Sequence, residues 1–293
     1  MDRARLLING TDSFSLTGSG IGVAVLDTGC APHPDLQAQI GGFCDIIGRK
    51  SSPYDDNGHG THVCGIIAGN GGLSGGRFCG IAPGCTLIPV KVLDRQGSGR
   101  ASDVLAGLRW IRQHQRQFGI RIVNISVGSF SHRNVGENSV LVRGVDAAWD
   151  AGLVVVVAAG NRGPERCSIT TPGISRKVIT VGCSDDEKEI TIMGNRMIHY
   201  SGRGPTCACI CKPDILAPGA VITSCCSISG YIAKSGTSMA TPLVSGAIAL
   251  LLEKYPEMSN RDVKLRLREK AVDLGLSRNQ QGWGMLDLKR LLE

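Results

Sequence analysis

Five stretches of the chain are almost continuously apolar and bounded by turn-forming residues: 23–26, 87–93, 120–127, 153–159 and 178–181. Between them, two stretches repeat apolar residues at helical spacing. In 102–118 these are Val104, Leu108 and Ile111, in phase with Gln115 and flanked by Leu105 and Trp110; in 138–151 they are Leu141, Val145, Ala148 and Trp149. Apolar strands alternating with helices predict a parallel sheet covered on both faces. Right-handed crossovers then bring the C-terminal ends of the strands to one edge. The stretch 239–252 is apolar on nearly every side and predicts a buried helix, with Pro242 near its first turn, where a missing N–H costs least. Val63, Ile66 and Ile67 suggest a shorter helix running into the core. Residues 182–219 are polar and irregular, an apolar pair at Tyr231-Ile232 follows, and 259–272 and 282–292 close the chain. The fold class is therefore α/β, with a twisted, mostly parallel sheet between helices. One domain spans 18–293 behind an N-terminal extension, 1–17, too short to fold alone.

Composition changes this picture little. The 293 residues are 42% hydrophobic, which suits a globular core. The net charge of +7 contains no basic block. The densest run, Arg261, Lys264, Arg266, Arg268 and Lys270, reads as the solvated face of a helix rather than a nucleic-acid surface. No uninterrupted apolar run has membrane-spanning length. The first residues lack a signal-peptide pattern, so the chain reads as cytoplasmic unless a leader was removed. In that setting the twelve cysteines read as free thiols.

The chemistry gathers along the strand ends. Gly18-Ser19-Gly20-Ile21-Gly22 resembles part of a dinucleotide fingerprint, but it precedes a strand instead of following one, and that reading fails. Asp27 ends the first strand, before Thr28-Gly29, as a functional carboxylate or a turn former. His59 lies between Gly58 and Gly60 with little steric cover, while His62 reads as a buried structural residue; the pair lacks the spacing of a zinc helix. Asn161 follows four valines as a turn residue or as a side-chain donor to a developing negative charge. Ser238 stands at the start of the long helix, as a cap or as a nucleophile with backbone donors beside it. In the order Asp27, His59, Ser238, the three side chains can act as orienting carboxylate, proton acceptor and nucleophile.

Three stretches carry a resemblance: Ala24-Val25-Leu26-Asp27-Thr28-Gly29, His59-Gly60-Thr61-His62-Val63 and Gly236-Thr237-Ser238-Met239-Ala240-Thr241-Pro242. They resemble the signature blocks of the subtilisin-like serine proteases, the subtilases, and the chain is similar in detail to their intracellular AprX-like bacterial branch. The resemblance implies a three-layer fold and a serine endopeptidase acting through an acyl-enzyme on Ser238. It makes Asp27, His59 and Ser238 the triad and Asn161 the oxyanion-hole donor. It also implies that Gly97-Ser98-Gly99 and Ser126-Val127-Gly128 pair with a protein or peptide substrate, while Ala158-Ala159-Gly160 and Thr170–Gly173 border the pocket for the residue before the cut. Ala101 replaces a bulkier residue of many relatives and implies a roomier outer pocket; peptide libraries should show large side chains accepted there. The chemistry needs no cofactor, and no nucleic-acid or membrane partner is expected. The metal content stays open: Asp35 matches a calcium ligand of the family, yet the loop 70–76 offers no further carboxylate. Cys64 reads as a small buried hydrophobe or a thiol under the site, and Cys207, Cys209, Cys211, Cys225 and Cys226 as a loose cluster. A catalytically silent binding protein and a peptide-cyclising transpeptidase are the alternatives on this scaffold.

Overall fold

The computed structural model describes residues 1–10, 15–128, 136, 138–192 and 195–293. The elements run α1 (Asp2–Leu7), β1 (Gly22–Asp27), β2 (Cys44–Asp45), α2 (His59–Ala68), β3 (Thr86–Lys91), α3 (Ala101–His114), β4 (Ile120–Ile125), α4 (Val140–Asp150), β5 (Val154–Ala158) and β6 (Ile179–Cys183). There follow β7 (Ile190–Ile192), β8 (Asn195–Met197), β9 (Ile215–Ala217), β10 (Ile222–Cys225), β11 (Tyr231–Lys234), α5 (Thr237–Lys254), α6 (Asn260–Lys270), α7 (Arg278–Gln281) and α8 (Leu288–Leu292).

Seven strands form one sheet in the order β2-β3-β1-β4-β5-β6-β9, and every pairing in it is parallel. Helices α2 and α5 pack together on one face, and α3 and α4 on the other. Burial on both faces explains why Val154 to Val157 need no polar alternation. The strand order reverses at β1, which lies between β3 and β4. At such a reversal two loops leave the sheet in opposite directions and open a crevice beyond the strand ends. Asp27 and Ser126 both lie at that crevice.

Element ends differ from the sequence pattern for local reasons. The ladder of β3 stops at Lys91, because the N–H groups of Val92 and Leu93 both turn to the Asp27 carbonyl, at 3.0 and 3.2 Å. Helix α3 stops at His114, and a tight turn reaches Gly119, whose φ is +57°. Pro242 is the sixth residue of α5, just past the first turn, where its missing N–H falls at the beginning of the second. Segment 182–219, read as irregular, contains the β7–β8 hairpin and β9, the last strand of the main sheet. In the basic run, Lys264 is not on a solvated face. Its ammonium donates to the carbonyls of Arg176, Lys177 and Val178 at 2.9–3.0 Å, while Arg261 and Arg268 are exposed, as is the apolar Leu265. Helix α1 packs on the body of the domain: Met1, Ala4 and Ile8 are buried in the main core, and Leu288 donates its N–H to the Ile8 carbonyl at 2.7 Å. Among the described residues no helix is long and apolar enough to cross a membrane.

His62 is buried as expected. Its Nε2 faces the carbonyls of Ile222 and Ile232 at 3.0 and 3.1 Å, so it carries the proton, and Nδ1 has no partner among the described residues. Burial, reinforced by Lys234 and His59, pushes its pKa down to about 3. An unfolded chain takes up this proton near pH 6.5 and the folded one does not, so stability falls as pH drops from 6.5 towards 3. Each pH unit in that window should cost up to about 1.4 kcal/mol. Urea unfolding at pH 6.5 and 5 measures the loss, and a His62→Gln variant that keeps the same slope would contradict this origin.

Candidate active site

The site is built from four chain segments at the strand ends. Asp27 is fully buried, and its Oδ1 accepts from His59 Nδ1 at 2.7 Å and from the Thr28 N–H at 2.8 Å. His59 keeps 24% of its side chain exposed, enough to meet a substrate. Its position follows from the way α2 begins. Gly58 adopts φ +91°, and Gly60 lies so close to β1's turn that a Cβ would stand 2.1 Å from the Gly29 carbonyl oxygen. Only glycine lets the first turn of α2 approach Asp27 this closely. Asp55 fixes the loop before it, accepting from the N–H groups of Asn57, Gly58 and Thr61 and from the Thr61 hydroxyl. Burial pushes the Asp55 carboxyl up, but these donors outweigh burial and hold it below the usual carboxylate range.

Ser238 is the second residue of α5, and Gly236, at φ +136°, is the helix cap. The capping role thus falls to Gly236 and leaves the Ser238 hydroxyl free for the crevice. That hydroxyl donates to the Ser126 carbonyl at 2.7 Å, and no bond to His59 is formed in this state. A substrate-free pair of this kind often tightens only when substrate is bound. Beneath it, Ser245 Oγ donates to Asn124 Oδ1 at 2.8 Å and Asn124 Nδ2 donates to Ser126 Oγ at 2.9 Å, tying α5 to the end of β4.

Asn161 leaves the end of β5 with its orientation set by Thr237. Asn161 Oδ1 accepts from the Thr237 N–H at 2.9 Å and from the Thr237 hydroxyl at 3.1 Å. With the oxygen so engaged, the Nδ2 hydrogens face away from it, and Nδ2 would lie 3.0 Å from a Cβ on Gly236. Among the described residues neither Asn161 Nδ2 nor the Ser238 N–H has an acceptor, which leaves two donors beside the Ser238 hydroxyl.

The remaining segments fall around this centre. Ser126 is buried, Val127 half-buried and Gly128 exposed. A Cβ on Gly128 or on Gly160 would stand 2.3 or 2.4 Å from the Thr170 side chain, so both glycines pack directly on Thr170, whose N–H and hydroxyl donate to the Ala159 carbonyl. Gly97, Ser98 and Gly99 are exposed, and a Cβ on Gly97 would be 3.5 Å from Asn57 Nδ2, next to the His59 loop. Ala101 is exposed at the start of α3.

The cysteines divide differently from the sequence pattern. All twelve are free. Cys207, Cys209 and Cys211 are exposed, and Cys211 donates to the Arg278 carbonyl at 3.1 Å, whereas Cys225 is buried against α2 beside His33 and Asp35. The five do not form one cluster. Cys64 is fully buried; its contact with Cys30, together with burial and the nearby Asp27, raises its pKa well above the ordinary value, and it stays a protonated, inert thiol. Around Asp35 the donor set does not suit calcium. Its oxygens accept from the Leu73 N–H at 3.0 Å and the Tyr231 hydroxyl at 2.5 Å, and its neighbours are an imidazole and a thiol instead of oxygens.

Sequence reasoning missed Thr237, the Asn124–Ser245 pair and Lys91. Lys91 had a visible signal, as the single charge in an otherwise apolar stretch.

An open α/β sheet with a buried carboxylate, an imidazole and a helix-start hydroxyl at its switch point defines a serine-hydrolase type of site. The chain belongs to the subtilase family, whose description matches residues 18–284. It is similar to the serine protease AprX of Bacillus subtilis (strain 168), with 45% identity over 272 residues covering 87% of this chain; the chain spans 62% of the length of AprX. Subtilisin Savinase of Lederbergia lenta is 38% identical over 93% of this chain and 90% of its own length. Among solved structures, sphericase superposes with a TM-score of 0.81 at 32% identity, covering 97% of this chain and 96% of that one.

Proposed function

We propose that this chain is a serine endopeptidase that hydrolyses peptide bonds in proteins or peptides through an acyl-enzyme on Ser238. The observation that carries the reading is the 2.7 Å bond from His59 Nδ1 to the buried Asp27, which fixes the imidazole with Nε2 free to accept a proton. In the proposed cycle a substrate strand lies along Ser126-Val127-Gly128 and Gly97-Ser98-Gly99. Ser238 Oγ leaves the Ser126 carbonyl, passes its proton to His59 Nε2 and attacks the scissile carbonyl. The oxyanion takes hydrogen bonds from Asn161 Nδ2 and the Ser238 N–H. His59 then protonates the leaving amine, and water repeats the sequence to release the acid. Similarity to AprX and Savinase supports this reading. Twelve unpaired cysteines support a reducing, intracellular setting.

A fluorophosphonate probe tests the nucleophile: it should label the wild-type protein and fail on Ser238→Ala. A wild-type protein that is folded yet unlabelled would favour a silent binding protein instead. Product masses containing ligated rather than hydrolysed peptides would favour the transpeptidase.

Replacing Asn161 by alanine removes one oxyanion donor and leaves the substrate strands untouched. The expected result is a kcat lower by about 10²–10³ with KM within a few-fold, a magnitude established for this donor in a subtilisin. Steady-state kinetics on one peptide decide it, and a loss confined to KM would remove Asn161 from the oxyanion hole.

A further inference from the structure

β3 is apolar along its buried face until its last residue, Lys91, which is 1% exposed. In the sheet Lys91 lies in register with Asp27 on β1. Its ammonium donates to the Thr28 carbonyl at 2.6 Å, the Leu93 carbonyl at 2.8 Å and Asp56 Oδ1 at 2.7 Å. An ammonium has three donors, so its capacity is filled. An aliphatic side chain would fill the same space without taking a charge out of water, so packing alone does not account for a lysine here.

The three acceptors belong to the parts that aim the triad. Thr28 follows Asp27, gives its N–H to Asp27 Oδ1 and takes the Gly60 N–H on its hydroxyl at 2.9 Å. Asp56 lies in the loop that ends at Gly58, immediately before His59. Leu93, like Val92, turns its N–H back to the Asp27 carbonyl. A single buried cation therefore joins the turn behind the carboxylate to the loop in front of the imidazole.

We infer that Lys91 is a positioning residue for the Asp27–His59 pair, acting through Thr28 and Asp56, a role that rests on the serine-protease reading above. Its charge also enters the balance around His59. Among the described residues the other ionisable groups packed there are Asp27 from β1, Asp55 and Asp56 from the preceding loop, Lys234 from β11, whose ammonium meets the Gly58 carbonyl at 3.2 Å, His62 and Cys64 on α2, and Cys30 beyond β1. Removing Lys91 leaves Asp56 unbalanced and favours a proton on the imidazole. Removing Asp56 leaves Lys91 unbalanced and disfavours it.

The test compares Lys91→Met, Asp56→Asn and wild type by peptide kinetics across pH. Lys91→Met should lose at least about ten-fold in kcat with a smaller change in KM, as expected when the catalytic groups and not the substrate strands are misplaced. Its acidic limb should move up by about half a pH unit, and that of Asp56→Asn down by a similar amount. Opposite shifts are a signature that a purely structural role would not give. If Lys91→Met does not fold, the downward shift in Asp56→Asn decides alone, because that residue is 44% exposed and asparagine keeps an oxygen to accept from Lys91. An active wild type with wild-type kcat in folded Lys91→Met, or with an unshifted limb in Asp56→Asn, overturns the role of Lys91. A wild type that neither cleaves peptide nor takes the fluorophosphonate overturns the protease reading and this role with it.

Discussion

Ser238→Ala should lower kcat by about six orders of magnitude while leaving the protein folded. The size of the effect is the one established for a subtilisin, and the geometry here gives the reason to expect it. The hydroxyl stands at the mouth of the crevice, bonded to the Ser126 carbonyl and to nothing that holds the fold together. Its removal forfeits one partly exposed hydrogen bond, about 1 kcal/mol. Helix α5 remains buried from Met239 to Leu252 and keeps the site's shape. The donors at Asn161 and the 238 N–H survive, so some 10³–10⁴ of acceleration over water should remain. The measurement is kcat beside thermal unfolding of the same sample. Activity within ten-fold of wild type in a stable Ser238→Ala protein would remove Ser238 as the nucleophile.

The sequence made the site easier to read than its supports. Asp27, His59 and Ser238 each lie where a local rule is broken: a carboxylate at the end of an apolar strand, an imidazole between glycines, and a hydroxyl behind a glycine at a helix start. Such breaks show in one short window. Thr237 acts on Asn161, 76 residues away, and Ser245 meets Asn124 across 121 residues while Asn124 passes the contact on to Ser126, so their own windows do not mark their role. The main strands were legible because burial on both faces makes them continuously apolar. β9 was not, since three residues between Asp214 and Pro218 show no period. The β10–β11 hairpin was seen only as its apolar pair, because its register is set by backbone pairing of Ile222 to Cys225 with Tyr231 to Lys234. Segment 1–10 looked like an appendage because α1 alone is too short to show which face it buries.

Asp27→Asn should lower kcat by about four orders of magnitude, with only modest loss of stability. Asn has the same shape, so the effect comes from hydrogen-bond direction and charge. One oxygen, Oδ1, accepts from both His59 Nδ1 and the Thr28 N–H, while Oδ2 is buried without a partner among the described residues. An asparagine has two ways to fit. With its oxygen kept at the Oδ1 position, the imidazole keeps the right tautomer, but an NH₂ group is buried where no acceptor stands, a cost of about 1–3 kcal/mol. That arrangement also offers no negative charge to stabilise the imidazolium formed during attack. With the amide reversed, NH₂ meets the Thr28 N–H donor to donor and forces His59 to accept at Nδ1. The proton then moves to Nε2, and the base can no longer take the Ser238 proton. Either arrangement disables proton transfer while the oxyanion donors and substrate strands stay in place, so KM should change far less than kcat. Kinetics at neutral pH, with denaturant unfolding as control, separate the two losses. A stable variant within ten-fold of wild-type kcat would mean that His59 does not depend on Asp27 for its tautomer or its charge.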